Sequence, residues 1–369
     1  MKLFVTLLRW IAGLLFIFSG VVKAIDPNGL AYKMQEFFEA WANAGFLRTL
    51  MFALNDYALA FSIIMITLEV GVGIALILGW QKRLTAWVLL LLILFFTFLT
   101  SYVLFSGKIK ACGCFGDCIP ITPIQTFTKD LVLLVMAIII ITNLKYIHPL
   151  LKTLMNGLLL FAGVGAAFFI QYNALKHLPV KDCLPFKVGN NILELRKMPP
   201  NAIADEKSYK FIYEKSGVQK EFEVSSLPDS SWTFVSRKEV VLKLGSNNIP
   251  LINDFNLTDS NGVDVTEKIL SQQGNYFLLF MKDVPKNTDQ WLPKFKALMS
   301  AKNLHPFYIV SAQPDAARLF FRQLNINIDV LRADGTAIKT AARANPTLLV
   351  MHGETVAQKL SWADLHKVK

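Results

Sequence analysis

Residues 57–79 read YALAFSIIMITLEVGVGIALILG, an apolar run whose only ionisable group apart from the Tyr57 phenol is Glu69. About 20 residues of helix cross the hydrocarbon core of a bilayer, so this run is long enough to span one. Working outward, similar runs lie at 3–22, 84–105, 130–147 and 151–172, which predicts five spans. The chain of 369 residues is 53% hydrophobic and 18% charged, and nearly all of the apolar excess falls before residue 172. From Lys181 onward the composition is that of a globular protein. The first run begins like a signal peptide, but residues 19–23 (SGVVK) make a poor cleavage site and four more spans follow, so it reads as a retained helix.

Net charge is +11. Residues 1–179 hold 13 Lys/Arg against 7 Asp/Glu, and residues 180–369 hold 25 against 20. Neither half has the dense basic run that tracks a phosphate backbone, which argues against nucleic acid. Orientation follows from the short loops. Lys2 and Arg9 at the start, Gln81-Lys82-Arg83 between spans two and three, and Lys145 and Lys152 between spans four and five point to the cytoplasm. Loops 23–56 and 106–129 and everything after 173 then lie outside, although Lys108, Lys110 and Lys129 run against this topology. A bacterial inner membrane with a cytoplasmic N-terminus and a periplasmic tail is the expected setting, with the bilayer as the first partner.

All four cysteines fall on the outer side under this topology. Three lie in residues 111–118, ACGCFGDC, and the fourth is Cys183. Outside the cytoplasm thiols oxidise unless something keeps them reduced. Three readings stay open. Cys112, Cys114, Cys118 and Cys183 could supply a cycling dithiol/disulfide, in which a thiolate attacks and a nearby sulfur resolves, with Lys108 and Lys110 lowering thiol pKa values. Cys112 or Cys114 could instead be clasped to Cys118 or Cys183 as a structural bridge. A metal cage is disfavoured, because C-x-C-x3-C is not a pair of CxxC knuckles and no His lies nearby in sequence on that side.

These residues resemble a known family. RWIAGLLFIFSGVVK (9–23) followed by Asp26-Pro27, and EVGVGIALILG (69–79), look like the first two helices of DoxX-type membrane proteins. CGCFG (112–116) leading into FTKDL (127–131) resembles the MauE branch, which is associated with disulfide formation in a periplasmic enzyme subunit. With DCLPFKVG (182–189) the arrangement is similar to long-tailed Bacteroidota relatives. The resemblance implies a four-helix core (1–150), a fifth helix added as a tether (151–172), and redox work in the envelope with a membrane quinone as a possible cofactor.

Three charged residues stand out in the spans. A carboxylate inside an apolar run usually faces a cavity or a partner, so Glu69 is expected to face the bundle interior, for proton handling or for packing. Lys23 reads as an interfacial, snorkelling residue or a binding residue. Asp130, at the expected start of the fourth span, reads first as a helix N-terminal charge.

In the tail, residues 173–248 read as a β-rich linker domain. Residues 209–224 alternate around Ser216-Gly217, a hairpin signal. Residues 249–369 alternate strands (276–281, 307–311, 345–350) with helices (288–302, 314–324). This order looks like a thioredoxin fold of the peroxiredoxin-related kind, with Pro346 at the cis-proline position. Lys282-Asp-Val-Pro-Lys286 stands where the redox motif belongs, and no cysteine follows Cys183. That domain would bind or present a client rather than exchange thiols. The expected whole is a membrane α-helical bundle, a β-rich segment and an α/β domain. Its expected role is a thiol–disulfide or quinone-linked redox protein acting on envelope proteins or small thiols, or else a non-enzymatic scaffold with structural disulfides. Transport has no paired charges or repeat in the sequence to support it.

Overall fold

A computed structural model describes residues 1–109, 113, 116–119, 121–243, 245–302 and 305–369. The helices before the tail are α1 (Lys2–Ile25), α2 (Pro27–Asn43), α3 (Arg48–Asp56), α4 (Ala58–Leu78), α5 (Lys82–Ser106), α6 (Pro123–Thr142) and α7 (Thr153–His177). Among the described residues five of these, α1, α4, α5, α6 and α7, are long and apolar enough to cross a membrane. α1, α4, α5 and α6 pack as a bundle, and α7 lies outside it against α4 and α1. The α1–α4 crossing is set by glycine. A Cβ on Gly73 would stand 2.7 Å from the Gly13 carbonyl oxygen, so the two backbones touch there.

The segment 23–56 is not a loop, as the sequence suggested, but the helices α2 and α3. Asp26 starts α2, its Oδ1 accepting from Gly29 N at 3.1 Å with Pro27 at the first turn, a standard N-terminal arrangement. The fourth span also begins earlier than position 130. Thr122 and Gln125 form a reciprocal capping box ahead of Pro123, and these polar contacts fix the start where hydropathy could not.

Loops segregate to two ends. At one end Arg9 Nη1 donates to His148 O (3.2 Å) and Lys82 Nζ to Ile147 O (3.1 Å), joining the N-terminal helix to both short connections. The opposite end carries α2, α3, the 107–122 loop and the tail.

After α7 come α8 (Ile192–Leu195), the strands β1 (Glu206–Lys215), β2 (Val218–Glu223) and β3 (Thr233–Lys243), then α9 (Thr266–Leu270), β4 (Asn275–Met281), α10 (Thr288–Ala301), β5 (Phe307–Ser311), α11 (Pro314–Gln323), β6 (Asp329–Arg332), α12 (Gly335–Ala341), β7 (Thr347–His352) and β8 (Thr355–Ser361). β1–β3 form a separate antiparallel sheet in the order β2-β1-β3. Its hairpin turns at Ser216 and Gly217, both at positive φ (52° and 79°), as a two-residue loop requires.

The second sheet has the order β6-β5-β4-β7-β8. β4, β5 and β6 run parallel, and β7 and β8 are antiparallel to their neighbours. β4 alternates across it. Tyr276, Leu278 and Phe280 meet Phe186, Phe255 and Ile338 on one face, while Phe277, Leu279 and Met281 meet Trp291, Phe295 and Phe321 on the other.

The expected division at 173–248 and 249–369 is corrected here. Phe186 and Ile192 are core residues of the five-stranded domain, with Gly189 N donating to Val356 O and Ile192 N to Glu354 O. The small β1–β3 sheet is therefore inserted into that domain rather than preceding it. The apolar signal of 184–195 is too short to show its partner, which lies over 160 residues away.

Candidate functional site

Gly113 and Gly116 adopt positive φ (73° and 61°), and Gly116 N donates to Gly113 O at 3.0 Å. The glycines thus turn the cysteine loop sharply back on itself, a conformation other residues resist. Cys112 and Cys114 lie outside the described residues. Cys118 and Cys183 are joined in a disulfide with their Cα atoms 5.0 Å apart. This corrects the clasp expected from sequence, which drew Cys112 or Cys114 to Cys118 or Cys183. The connector leaving α7 returns to the bundle end beside Gly116 and Cys118, and there Cys183 meets Cys118. With Cys118 bonded, a cage built from three thiolates of this loop is not available.

The tail docks at the same place. Arg343 Nη2 reaches Asp117 Oδ2 (2.5 Å), and its Nε reaches Asp26 Oδ2 (2.8 Å). Asn28 Nδ2 donates to the Arg343 carbonyl oxygen (2.6 Å). Burial works against the charge of Arg343, but the Asp26 and Asp117 carboxylates outweigh it and hold its pKa above the ordinary value. Tyr32 of α2 lies under Arg343, Lys339 and Lys282, with the cations 5.3–5.9 Å from its ring centre. Burial pushes its phenol up to about 12, with Arg343 pulling the other way. Two further contacts complete the dock. Lys359 Nζ meets Asp182 Oδ2 at 2.7 Å, and His177 Nδ1 meets Asp364 Oδ2 at 2.8 Å.

Pro346 follows Arg343 by three residues, and the Asn345–Pro346 peptide is cis. Asn345 Nδ2 donates to Asp283 Oδ1 (2.6 Å), and Lys282 N donates to Asn345 Oδ1 (3.2 Å). The cis-proline loop and the cysteine-free turn after β4 are therefore neighbours, and Arg343 and Lys282 of these two segments face α2.

Inside the bundle the structure brings Lys23, Glu69 and Asp130 to one cavity. Lys23 Nζ meets Glu69 Oε1 at 2.5 Å, and Ser19 Oγ donates to Glu69 Oε2 at 2.9 Å. Lys129 Nζ meets Asp130 Oδ1 at 2.6 Å, and Thr100 Oγ1 donates to Asp130 Oδ2 at 3.0 Å. Lys23, Glu69 and Asp130 are all buried, and with Ser19, Lys129 and Phe96 they line a cavity of about 20 Å³. Two expectations are corrected. Lys23 does not snorkel to an interface, because Glu69 provides its counter-charge inside the bundle. Asp130 is not an N-terminal helix charge, because α6 starts seven residues earlier and places it two turns in.

Residues 1–143 match the family model of Methylamine utilisation protein MauE. The match covers the bundle helices α1, α4, α5 and α6 and the cysteine loop, and leaves out α7 and the tail. Residues 208–243 match a domain of unknown function, and these are the β1–β3 sheet. Among curated proteins the chain is similar to Protein TlpB of Flavobacterium psychrophilum, 37% identical over 75 residues, which is 20% of each chain. The chain thus spans about a fifth of the length of the curated relative it matches.

The reading of the sequence missed Arg343, Asp117, Asp26, Tyr32, Lys359 and Asp182. One signal was present: both bonded cysteines are preceded by aspartate, Asp117-Cys118 and Asp182-Cys183.

Proposed function

We propose that the chain is an envelope thiol–disulfide redox protein of the bacterial inner membrane, with the 112–118 loop as its working end and the tail in the periplasm. The observation that carries this reading is the Cys118–Cys183 bond. It occupies two of the four cysteines, and the other two, Cys112 and Cys114, one glycine apart in sequence, are the pair we read as cycling. A client dithiol would reduce a Cys112–Cys114 disulfide by thiolate attack and exchange, giving up two electrons and two protons. Clients are envelope proteins or small thiols, and a membrane quinone is the class of final acceptor. The cavity at Glu69 is the size of a water molecule and does not fit a quinone ring. Its two Lys–carboxylate pairs suit proton handling inside the bundle.

We read the five-stranded domain as thioredoxin-like without redox cysteines. Its strand order and the cis-proline beside the turn after β4 support this. Arg343 holds its Pro346 loop against α2, so a client would reach Pro346 after the domain lifts. A second reading, a scaffold with structural disulfides, is favoured by the same Cys118–Cys183 bond, which staples the loop to the tail connector.

Differential thiol labelling in native membranes separates the two. Cycling gives Cys112 and Cys114 that become labelled after a brief reducing pulse and are reoxidised when it ends. Cysteines that resist mild reduction, with normal function in Cys112→Ser, support the scaffold.

A further inference from the structure

The Cys118–Cys183 bond and the tail dock meet in one place, and each sulfur comes with its own aspartate. Asp117 immediately precedes Cys118 and takes Arg343, while Asp182 immediately precedes Cys183 and takes Lys359 (2.5 and 2.7 Å). The two cations belong to the same five-stranded domain, Arg343 after α12 and Lys359 in β8. The two aspartates belong to segments 65 residues apart, the loop after α5 and the connector after α7. The disulfide is the covalent link that keeps those segments in register at a Cα separation of 5.0 Å. Both cationic side chains are sealed by docking, at 7% and 4% exposure, whereas Asp117 and Asp182 remain 36% and 23% exposed. Removing a carboxylate from a sealed cation is costly, so Asp182 under Lys359 and Asp117 under Arg343 each support the dock, Asp26 remaining as the second partner of Arg343.

We propose that the five-stranded domain reads the redox state of Cys118–Cys183: the bond presents Asp117 and Asp182 as a paired acidic seat, and its reduction releases the domain from the membrane end. The step is a thiol–disulfide exchange with a dithiol donor. One donor thiolate attacks a sulfur of the pair, the Cys118–Cys183 bond breaks, and the donor closes its own disulfide. Two electrons and two protons leave the donor, and Cys118 and Cys183 end as thiols. Both cysteines are partly exposed rather than fully buried. Release uncovers Tyr32, the Pro346 loop and the cysteine loop at once. Coupling of this kind is reciprocal: if the bond favours docking, docking favours the bond by the same factor. The other contacts, among them Arg343 to Asp26, Asn28 to the Arg343 carbonyl, Tyr32 under its three cations and His177 to Asp364, involve neither segment of the disulfide and would slow the release without tying it to redox state.

This inference concerns Cys118 and Cys183 alone and does not require Cys112 and Cys114 to cycle. It is tested in full-length protein carrying Cys112→Ser and Cys114→Ser, reconstituted in bilayer discs and poised in dithiothreitol buffers. Thiol labelling reads the midpoint, and hydrogen exchange reads α2 and α12. Reduction is expected to speed exchange in both helices at least tenfold. Arg343→Gln with Lys359→Gln is expected to shift the midpoint tenfold towards easier reduction, about 30 mV for a two-electron couple. If that variant fails to assemble, Asp182→Asn replaces it, since it keeps an Oδ1 acceptor for Leu184 N while losing the charge facing Lys359. Unchanged exchange on full reduction, or an unshifted midpoint in a folded variant, overturns the proposal.

Discussion

Two of the buried ionic clusters among the described residues lie in very different surroundings. Lys23–Glu69 lies between α1 and α4 within helices apolar enough to cross a membrane, at a cavity of only about 20 Å³. Arg343–Asp26–Asp117 lies between two domains at the bundle end, where separation lets water in. The same kind of contact therefore governs different equilibria. Inside the bundle the ion pair is part of the fold, whereas at the end it sets whether the tail is docked. Burying charge is costly in both, and only the second cluster can escape that cost by opening.

The largest effect is expected inside the bundle. Glu69→Ala leaves Lys23 without its counter-charge and should cost about 3–5 kcal/mol, read as a lowered unfolding temperature in detergent. Lys23→Met with Glu69→Gln removes both charges and should recover most of that loss. If the single and double variants lose the same stability, the pair is not what makes Glu69 matter. Arg343→Gln should have a smaller effect of another kind. The helices keep their unfolding temperature while hydrogen exchange in α2 and α12 speeds about tenfold, equivalent to about 1.4 kcal/mol. A fall in bundle stability equal to that of Glu69→Ala would erase the distinction between the clusters.

Tyr32 gives the dock a pH signature. Its phenol has a pKa raised by burial above the ordinary 10.0 to about 12. The stability from keeping it neutral is therefore fully present below pH 10 and is lost as pH rises through about 12. Burial raises Tyr276 and Tyr308 as well, so the absorbance titration is read as its difference from Tyr32→Phe, which should be a late-titrating phenol that tracks the loss of docking. The smallest effect belongs to exposed pairs. Lys207–Glu239 on the β1–β3 sheet is open to solvent, and Lys207→Ala should leave stability unchanged within error.

Much of the architecture was legible because bilayers and sheets impose length and period. The five apolar runs could only be helices of membrane length, and the Ser216-Gly217 hairpin and the strands at 276–281 and 307–311 carried local signals. The start of α6 was misread because residues 123–129, PIQTFTK, interrupt Ile124 and Phe127 with Gln, Thr and Lys and so fall outside the apolar run. The capping box of Thr122 and Gln125 defines that start, and it does so through hydrogen bonds rather than hydropathy. α2 was missed although Leu30, Met34, Phe37, Phe38 and Trp41 recur at helical spacing among its charges, whereas α3 buries only Met51 and carries little signal. β6 and α12 are short, and parallel pairing with a distant strand leaves little trace in four residues.

At the candidate site, residue type was enough to mark Glu69, Cys118 and Cys183, because a carboxylate in an apolar run and cysteines in the short segments beside apolar runs are unusual chemistry wherever they lie. It was not enough to pair them. Lys23 with Glu69, Cys118 with Cys183, and Arg343 with Asp117 are separated by 46, 65 and 226 residues. The sequence by itself determined the apolar runs, the positions of the cysteines along the chain and the absence of cysteine after Cys183, since each follows from local composition. Which charge neutralises which, which cysteine bonds which, and that the tail rests on the cysteine loop were decided only by tertiary structure. Chain folding alone sets distances between segments so far apart, and at those distances Coulomb attraction and covalent bonding become possible.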